Sequence, residues 1–252
     1  MKKTFYLPLI AVLFLAVVLS SCDVNEKVKV NHFATNIFEN GYLRATIPAY
    51  ASKPALFIEL NFRADGRDAY SAFENDNTRR ETFERLANEM GDIHHSETYV
   101  YFPLVSSPAD RTFLYHPVDN IRIYSSIPWS EDEPEGSDIT KEFAFLSLNS
   151  DKYVLTGQKD DGQGMDQNLS IVGLAQITGL LRKYAADTKY SSVLYDYLDK
   201  IDFRSMTFVS DVYADYYGYV SSNNPKFLEP QTLTLEFTYR DGRTTSTEVV
   251  IP

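Results

Sequence analysis

The sequence predicts a mainly β protein whose antiparallel sheets form a β-sandwich-like fold with two or three inserted helices. The chain contains 18 Tyr and 16 Phe, residue types that favour strands. Gly, Pro and Asn-Asp clusters interrupt it at short intervals after residue 30, which is typical of many short strands. Asp65-Gly66 and Asp241-Gly242 each follow an alternating apolar run and indicate tight turns. Since no βαβ alternation is evident, the sandwich is favoured, and an α+β fold is the alternative.

Residues 1–21 have the three-part composition of an export signal peptide. Lys2 and Lys3 supply a positive start, and an uncharged apolar run extends from Leu7 to Leu19. A run of this length is too short to span a bilayer as a permanent helix. We therefore expect residues 1–21 to direct export and to take no part in the fold.

The tetrapeptide Leu19-Ser20-Ser21-Cys22 follows the apolar run directly. It resembles the lipobox of bacterial lipoproteins. The resemblance implies thioether lipidation of Cys22, cleavage before this residue and acylation of its new amino group. One acyl chain holds a protein only weakly, whereas two or three chains on one residue make release negligible. Membrane lipid is thus the expected partner of Cys22, and a plain secretory signal cut at a nearby small residue is the alternative.

Charge and cysteine content exclude several classes of function. Without residues 1–21 the chain keeps 22 basic and 35 acidic residues, a net charge of about −13, because Lys2 and Lys3 are lost. Such a balance argues against nucleic acid as a partner, since phosphates require a basic surface. Cys22 is the only cysteine. Its lipidation leaves no thiol for disulfides, Cys–zinc sites or a cysteine nucleophile.

Residues 22–30 are polar and charged and are predicted to form a lipidated tether, followed by a single globular β-rich domain over residues 31–252. The clearest strand pair lies on either side of Asp241-Gly242, and a second hairpin is predicted around Asp65-Gly66. The predicted strands are Leu56–Phe62, Thr98–Val105, Thr112–His116, Asn120–Ser126, Phe143–Leu148, Met206–Tyr213, Tyr216–Ser221, Thr232–Arg240 and Thr244–Ile251.

Three segments have helical spacing of apolar residues. The first begins at Thr78-Arg-Arg-Glu81, which has the spacing of a capping box, and ends at Gly91. The second covers about residues 168–186, where Gly173 and Gly179 weaken the helix and suggest close packing. The third covers Ser192–Asp202 and would place its apolar residues inward.

Two segments are candidate metal sites. His94 and His95 lie between Asp92 and Glu97, but adjacent residues of an extended segment point to opposite faces, so at most one His would serve a given site. Asp160, Asp161 and Asp166 give the segment 159–166 the composition of a calcium loop. The EF-hand order of ligands and its closing Glu are missing, so a linker before a helix is the alternative to a calcium site.

Two aromatic segments are candidate ligand-binding surfaces. Trp129, the only Trp, lies in a proline-bounded acidic loop, and an exposed Trp beside carboxylates would suit a sugar or a peptide. The alternative is a Trp that closes one end of the core while the acidic residues lie in water. Tyr216 and Tyr217 belong to a cluster of four tyrosines, for which core packing is the alternative to recognition.

No hydrolase, zinc-peptidase or phosphate-loop motif occurs in the chain. Activity as an enzyme is therefore not predicted. A glycan-acting hydrolase remains an alternative, because the carboxylates of glycosidases are rarely adjacent in sequence.

The lipobox, the acidic aromatic-rich body and the strand pattern together resemble the lipoproteins of Bacteroides-type bacteria. The resemblance implies a protein of the cell envelope, anchored by lipid and expected at the outer membrane, with a non-catalytic binding or structural role toward a glycan or an envelope protein. Asp23 and Glu26 match the acidic run of surface-exposed members only partly, so periplasmic and surface locations both remain open. Fimbrillin-type pilus or adhesin subunits are a second resemblance, for which Arg44 would mark the processing site.

Overall fold

The computed structural model describes residues 26–47, 56–101, 111–149, 193–205, 208–209, 216–222 and 224–252. Within these ranges the chain forms strands, four 3-10 turns and one α-helix, α1 (Asn77–Glu89), so the predicted mainly β fold class is confirmed. In chain order the strands are β1 (Glu26–Val30), β2 (Asn36–Phe38), β3 (Tyr42–Thr46), β4 (Leu56–Arg63), β5 (Ala69–Ser71), β6 (Glu97–Tyr101), β7 (Thr112–Leu114), β8 (Val118–Ser125), β9 (Ala144–Asn149), β10 (Val193–Tyr197), β11 (Phe208–Val209), β12 (Tyr216–Ser222), β13 (Gln231–Tyr239) and β14 (Thr244–Ile251).

Contacts divide the described chain into a small unit and a large unit. The small unit contains residues 26–29 of β1 and 98–101 of β6, which pair with each other as a two-stranded sheet. The predicted tether over residues 22–30 therefore includes a strand, a result that its polar composition did not indicate. All other described residues belong to the large unit.

The large unit contains a six-stranded antiparallel sheet in the order β10-β9-β12-β4-β3, with β11 also paired to β9. Strand β12 has an irregular register against β4 between Tyr216 and Gly218. A Cβ atom at Gly218 would lie 2.7 Å from the Leu146 carbonyl oxygen and 2.7 Å from Cε2 of Phe145. The close approach of β9 to β12 thus requires glycine at this position.

A second, three-stranded antiparallel sheet has the order β14-β13-β8. Every odd-numbered residue of β13, from Gln231 to Tyr239, is buried, which matches the alternation that predicts this strand. Gly242 in the turn to β14 has a φ of 87°, a conformation that the missing Cβ permits. The predicted hairpin around Asp241-Gly242 is confirmed.

The two sheets enclose one hydrophobic core, to which both contribute. Tyr239 joins them directly, since its ring is buried and its hydroxyl oxygen accepts a 2.8 Å hydrogen bond from the Leu43 backbone N–H of β3. Fully buried core side chains of these strands are Leu43, Ile58, Leu60, Phe62, Val118, Ile121, Ile123, Phe145, Val220, Leu233, Leu235 and Phe237.

A third sheet has the order β5-β2-β7, and α1 packs beside it. Strands β2 and β7 pair in parallel over three residues, an exception to the predicted antiparallel pattern. The helix buries Phe83, Leu86 and Ala87 on one side, as its spacing predicts. Its N-cap is Asp76, whose carboxylate accepts from the backbone N–H groups of Thr78 and Arg79, so the predicted capping box at Thr78 is wrong.

Three further expectations from the sequence have different outcomes. The helix predicted over Ser192–Asp202 is wrong, because β10 pairs with β9 there and a 3-10 turn, Leu198–Lys200, follows it. The hairpin predicted around Asp65-Gly66 is also wrong, because β4 pairs with β3 and β12 while β5 pairs with β2. The helix predicted over residues 168–186 lies outside the described residues.

Candidate functional site

A group of polar and aromatic side chains lies on the surface where α1 meets the third sheet. We call it the α1 surface network and define it as Glu39, Tyr70, Arg85, Glu89 and Tyr115. Arg85 lies between the two carboxylates: its Nη2 is 3.6 Å from Oε1 of Glu39, and its Nη1 donates to Glu89 at 3.0 and 3.1 Å. Each carboxylate also accepts from one tyrosine hydroxyl, Glu39 from Tyr70 at 3.2 Å and Glu89 from Tyr115 at 2.5 Å.

The network is assembled by elements that are distant in sequence. Glu39 follows β2, Tyr70 lies in β5, and Tyr115 follows β7, so the three strands of one sheet place them side by side. Arg85 and Glu89 are four residues apart on α1, a spacing that puts both on one face of the helix. The sequence offered no signal for this site, because only the tertiary pairing of β2, β5 and β7 brings its members together.

Hydrogen bonding and burial set the protonation states of Glu89, Tyr115 and Tyr70 at neutral pH. The Tyr115 hydroxyl, followed by Arg85, lowers the pKa of Glu89, so this carboxylate is ionised. The hydrogen bond to Glu89 raises the pKa of Tyr115, and burial together with Glu39 raises the pKa of Tyr70. Both tyrosines therefore keep their protons and act as neutral hydroxyl groups.

Such a set of groups suits recognition of a polar neutral ligand. The carboxylates and the tyrosine hydroxyls have further acceptor positions, and Arg85 is half exposed and has further donors. The ring of Tyr115, which is only partly buried, offers an apolar face beside these polar groups, whereas the guanidinium of Arg79 lies 4.9 Å from the centre of the Tyr70 ring. A sugar presents the complementary combination of hydroxyl groups and apolar C–H faces.

The segment around His94 and His95, the first predicted metal site, begins with the buried Asp92, whose hydrogen bonds hold the fold together. Asp92 is buried, and its two carboxylate oxygens accept from the backbone N–H groups of Phe33 and Ala34, both at 2.8 Å. The ring of His32 donates through Nδ1 to the Asp92 carbonyl oxygen, and its Nε2 lies 2.5 Å from Oε2 of Glu84 on α1. We call Asp92, His32 and the two backbone N–H groups the Asp92 clamp.

The Asp92 clamp joins two loops, and its polar atoms are already hydrogen-bonded within the protein. The carboxylate of Asp92 is directed at backbone groups, and the buried ring of His95 packs edge-on against Phe33 at 5.5 Å. His94 is exposed to solvent. Across the described ranges, no group of three or more His, Cys, Asp or Glu side chains is placed to hold a metal ion.

Replacement of Asp92 by Asn should destabilise the fold, and the loss should grow on acidification. The amide would offer one oxygen where two backbone N–H groups need acceptors, at a cost of about 1–3 kcal/mol. Burial raises the pKa of Asp92 above its ordinary 3.8, so the native state binds this proton more tightly than the unfolded state does. The wild type therefore gains stability relative to Asp92→Asn as the pH falls through the raised pKa toward 3.8.

Urea unfolding of both proteins at several pH values between about 3.5 and 7 measures this difference. Other titrating groups affect the wild type and the variant alike and cancel in the comparison. A difference in unfolding free energy between the wild type and Asp92→Asn that becomes smaller on acidification would contradict this role of the buried Asp92 carboxyl group.

Trp129 is buried, with 5% of its surface exposed, and not presented to solvent. Its ring contacts Phe227 at a centroid distance of 4.6 Å, and the Nζ of Lys226 lies 6.0 Å from the ring centre. Glu131, Asp132 and Glu135 of the same loop are exposed. This arrangement matches the alternative in which Trp129 closes the core while the acidic residues lie in water.

The structure describes only some of the other candidate residues. Tyr216 and Tyr217 begin β12, where the irregular register precedes Gly218, and they are distant in sequence from the α1 surface network. Cys22 and the calcium candidates Asp160, Asp161 and Asp166 lie outside the described residues.

Comparisons with known proteins identify no relative: no family model, no curated protein and no solved structure matches the chain. In the part of the chain that the structure describes, no helix is both long and apolar enough to cross a membrane.

Proposed function

We propose that the chain is a lipoprotein of the bacterial cell envelope, held at the outer membrane by acyl chains on Cys22, and that its folded part binds a ligand without converting it. The observation that carries the anchoring is Leu19-Ser20-Ser21-Cys22, placed directly after a charged start and an uncharged apolar run. Strand β1 begins at Glu26, four residues after the proposed lipid.

The binding role is supported by the α1 surface network. Its two carboxyl groups, neutral tyrosine hydroxyls and half-exposed Arg85 are held in place by one another and remain accessible from solvent. A site whose polar groups are already positioned loses little entropy on binding. The ligand class that fits these groups is a neutral oligosaccharide, with a polar segment of an envelope protein as the alternative.

The role is tested by screening the soluble domain, residues 23–252, against arrays of bacterial and host oligosaccharides. We expect binding that Tyr115→Ala abolishes, because the variant removes both the ring and the hydroxyl that holds Glu89. Tyr197→Ala is the matched control, since Tyr197 is an exposed tyrosine that lies outside the network and has Lys200 over its ring.

Absence of binding to any oligosaccharide at millimolar concentration would overturn the glycan assignment. Equal binding by wild type and Tyr115→Ala would overturn the assignment of the site.

A further inference from the structure

The distance between the proposed lipid and the first strand is limited by the chain itself. Strand β1 begins at Glu26, and only residues 23–25 separate it from Cys22. Four residue steps of fully extended chain reach at most about 14 Å. If Cys22 carries acyl chains inserted in a bilayer, the start of β1 must therefore lie within this distance of the headgroup region.

Strand β1 belongs to a sheet. It forms a two-stranded sheet with β6, so β6 must share the position of β1 relative to the membrane. Lysines at positions 27 and 29 alternate with valines at positions 28 and 30 in the sequence. Lys29 is exposed and Val30 is buried, so the ammonium group of Lys29 lies at the surface of a strand pair whose sequence also contains Glu26 and Glu97.

The residues that follow β1 are held by hydrogen bonds. The backbone N–H groups of Phe33 and Ala34 donate to Asp92, and His32 bonds to Asp92 and Glu84. The same Asp92 precedes β6 by only a few residues. Residues 32–34, which follow β1, and Asp92, which precedes β6, are therefore hydrogen-bonded to each other within the large unit.

We propose that the β1–β6 strand pair is the membrane-proximal part of the protein and lies at the lipid headgroups of the bilayer that anchors Cys22. The inference rests on the proposed function, because the lipid on Cys22 sets the starting point. The partner is a phospholipid headgroup surface, toward which the exposed ammonium group of Lys29 is attracted by phosphate.

The test uses the lipidated protein in vesicles of phosphatidylcholine and phosphatidylglycerol that contain a nickel-chelating lipid. Because the sulfur of lipidated Cys22 is a thioether, a single introduced cysteine can be spin-labelled selectively. Glu26→Cys and Lys29→Cys place the label on β1, and the matched control for each is the same variant with a lengthened segment before β1.

We expect strong relaxation of both labels by headgroup nickel, with the label at 26 relaxed at least as strongly as the label at 29. Insertion of 12 Gly/Ser residues after Asn25 adds a flexible segment with an end-to-end distance of about 19 Å and should reduce the relaxation at 26 and 29. Absence of relaxation by headgroup nickel at both positions, or relaxation that the insertion leaves unchanged, would overturn the inference.

The mass of each preparation separates the two proposals. An acylated Cys22 without relaxation at either position overturns only the placement of the strand pair at the headgroups. An unmodified Cys22 in a chain that still sediments with the vesicles overturns the proposed anchoring, and with it this inference.

Discussion

Truncation of Trp129 to Ala should lower the free energy of unfolding by about 3–5 kcal/mol, the range for a large aromatic side chain removed from a core. Trp129 is buried and packs on Phe227, which in turn contacts Phe143 at a centroid distance of 4.5 Å. The loss of the indole would leave a cavity bounded by these rings, and cavity formation adds to the lost burial of apolar surface.

Denaturant unfolding followed by far-UV circular dichroism measures the effect, since the variant has no Trp to report by fluorescence. Trp129→Phe is the matched control and should recover a large part of the loss, because a phenyl ring fills part of the cavity and needs no hydrogen-bond partner. The wild type should emit at the short wavelengths of a buried indole. Emission like that of an exposed indole, with a stability loss below about 1 kcal/mol, would contradict the burial of Trp129.

Replacement of Cys22 by Ser should move the protein from the membrane fraction to the soluble fraction, the largest effect expected of any single substitution in this chain. The proposed acyl chains each contribute about 0.8 kcal/mol per buried methylene group, so their joint loss removes the only strong membrane contact that the sequence indicates. The net negative charge of the mature chain offers no polybasic surface to replace them.

Fractionation of cells in low and high salt measures the distribution. Ser21→Ala is the matched control, because it keeps a small residue before Cys22 and should leave the protein in the membrane fraction. A Cys22→Ser protein that remains in the membrane fraction after a salt wash would show that another part of the chain holds it there.

Strands with strict alternation could be predicted from the sequence, because their pattern is local. In β13 the apolar residues Leu233, Leu235 and Phe237 alternate with polar ones, and the burial of the strand follows this pattern residue by residue. The helix α1 could also be predicted from the sequence, since Phe83, Leu86 and Ala87 have helical spacing. Its N-cap was misplaced by two residues because Thr78 and Glu81 mimic a capping box.

Segments decided by long-range pairing could not be predicted. Val193, Leu194 and Tyr197 have a spacing that fits a helix, yet the segment forms β10 because five consecutive residues pair with β9. Asp65-Gly66 offered the same local signal as Asp241-Gly242. Only the second turn joins paired strands, since the partners of β4 are β3 and β12.

The burial of Trp129 distinguishes between its two predicted roles, and the topology of the third sheet determines which residues form the candidate site. An acidic loop around a single Trp is compatible both with a binding surface and with a core residue, and only the contact with Phe227 distinguishes them. Glu39, Tyr70 and Tyr115 are 31 to 76 residues apart and carry no shared motif, so sequence patterns did not single them out. The third sheet brings them together around Arg85.

Mass spectrometry of the mature N-terminus from the membrane fraction tests the proposed anchoring most directly. The account predicts a chain that begins at Cys22 and carries a diacylglyceryl thioether together with an acyl group on its amino nitrogen. A mature chain that begins at another residue, or one that begins at Cys22 with an unmodified thiol, would contradict it.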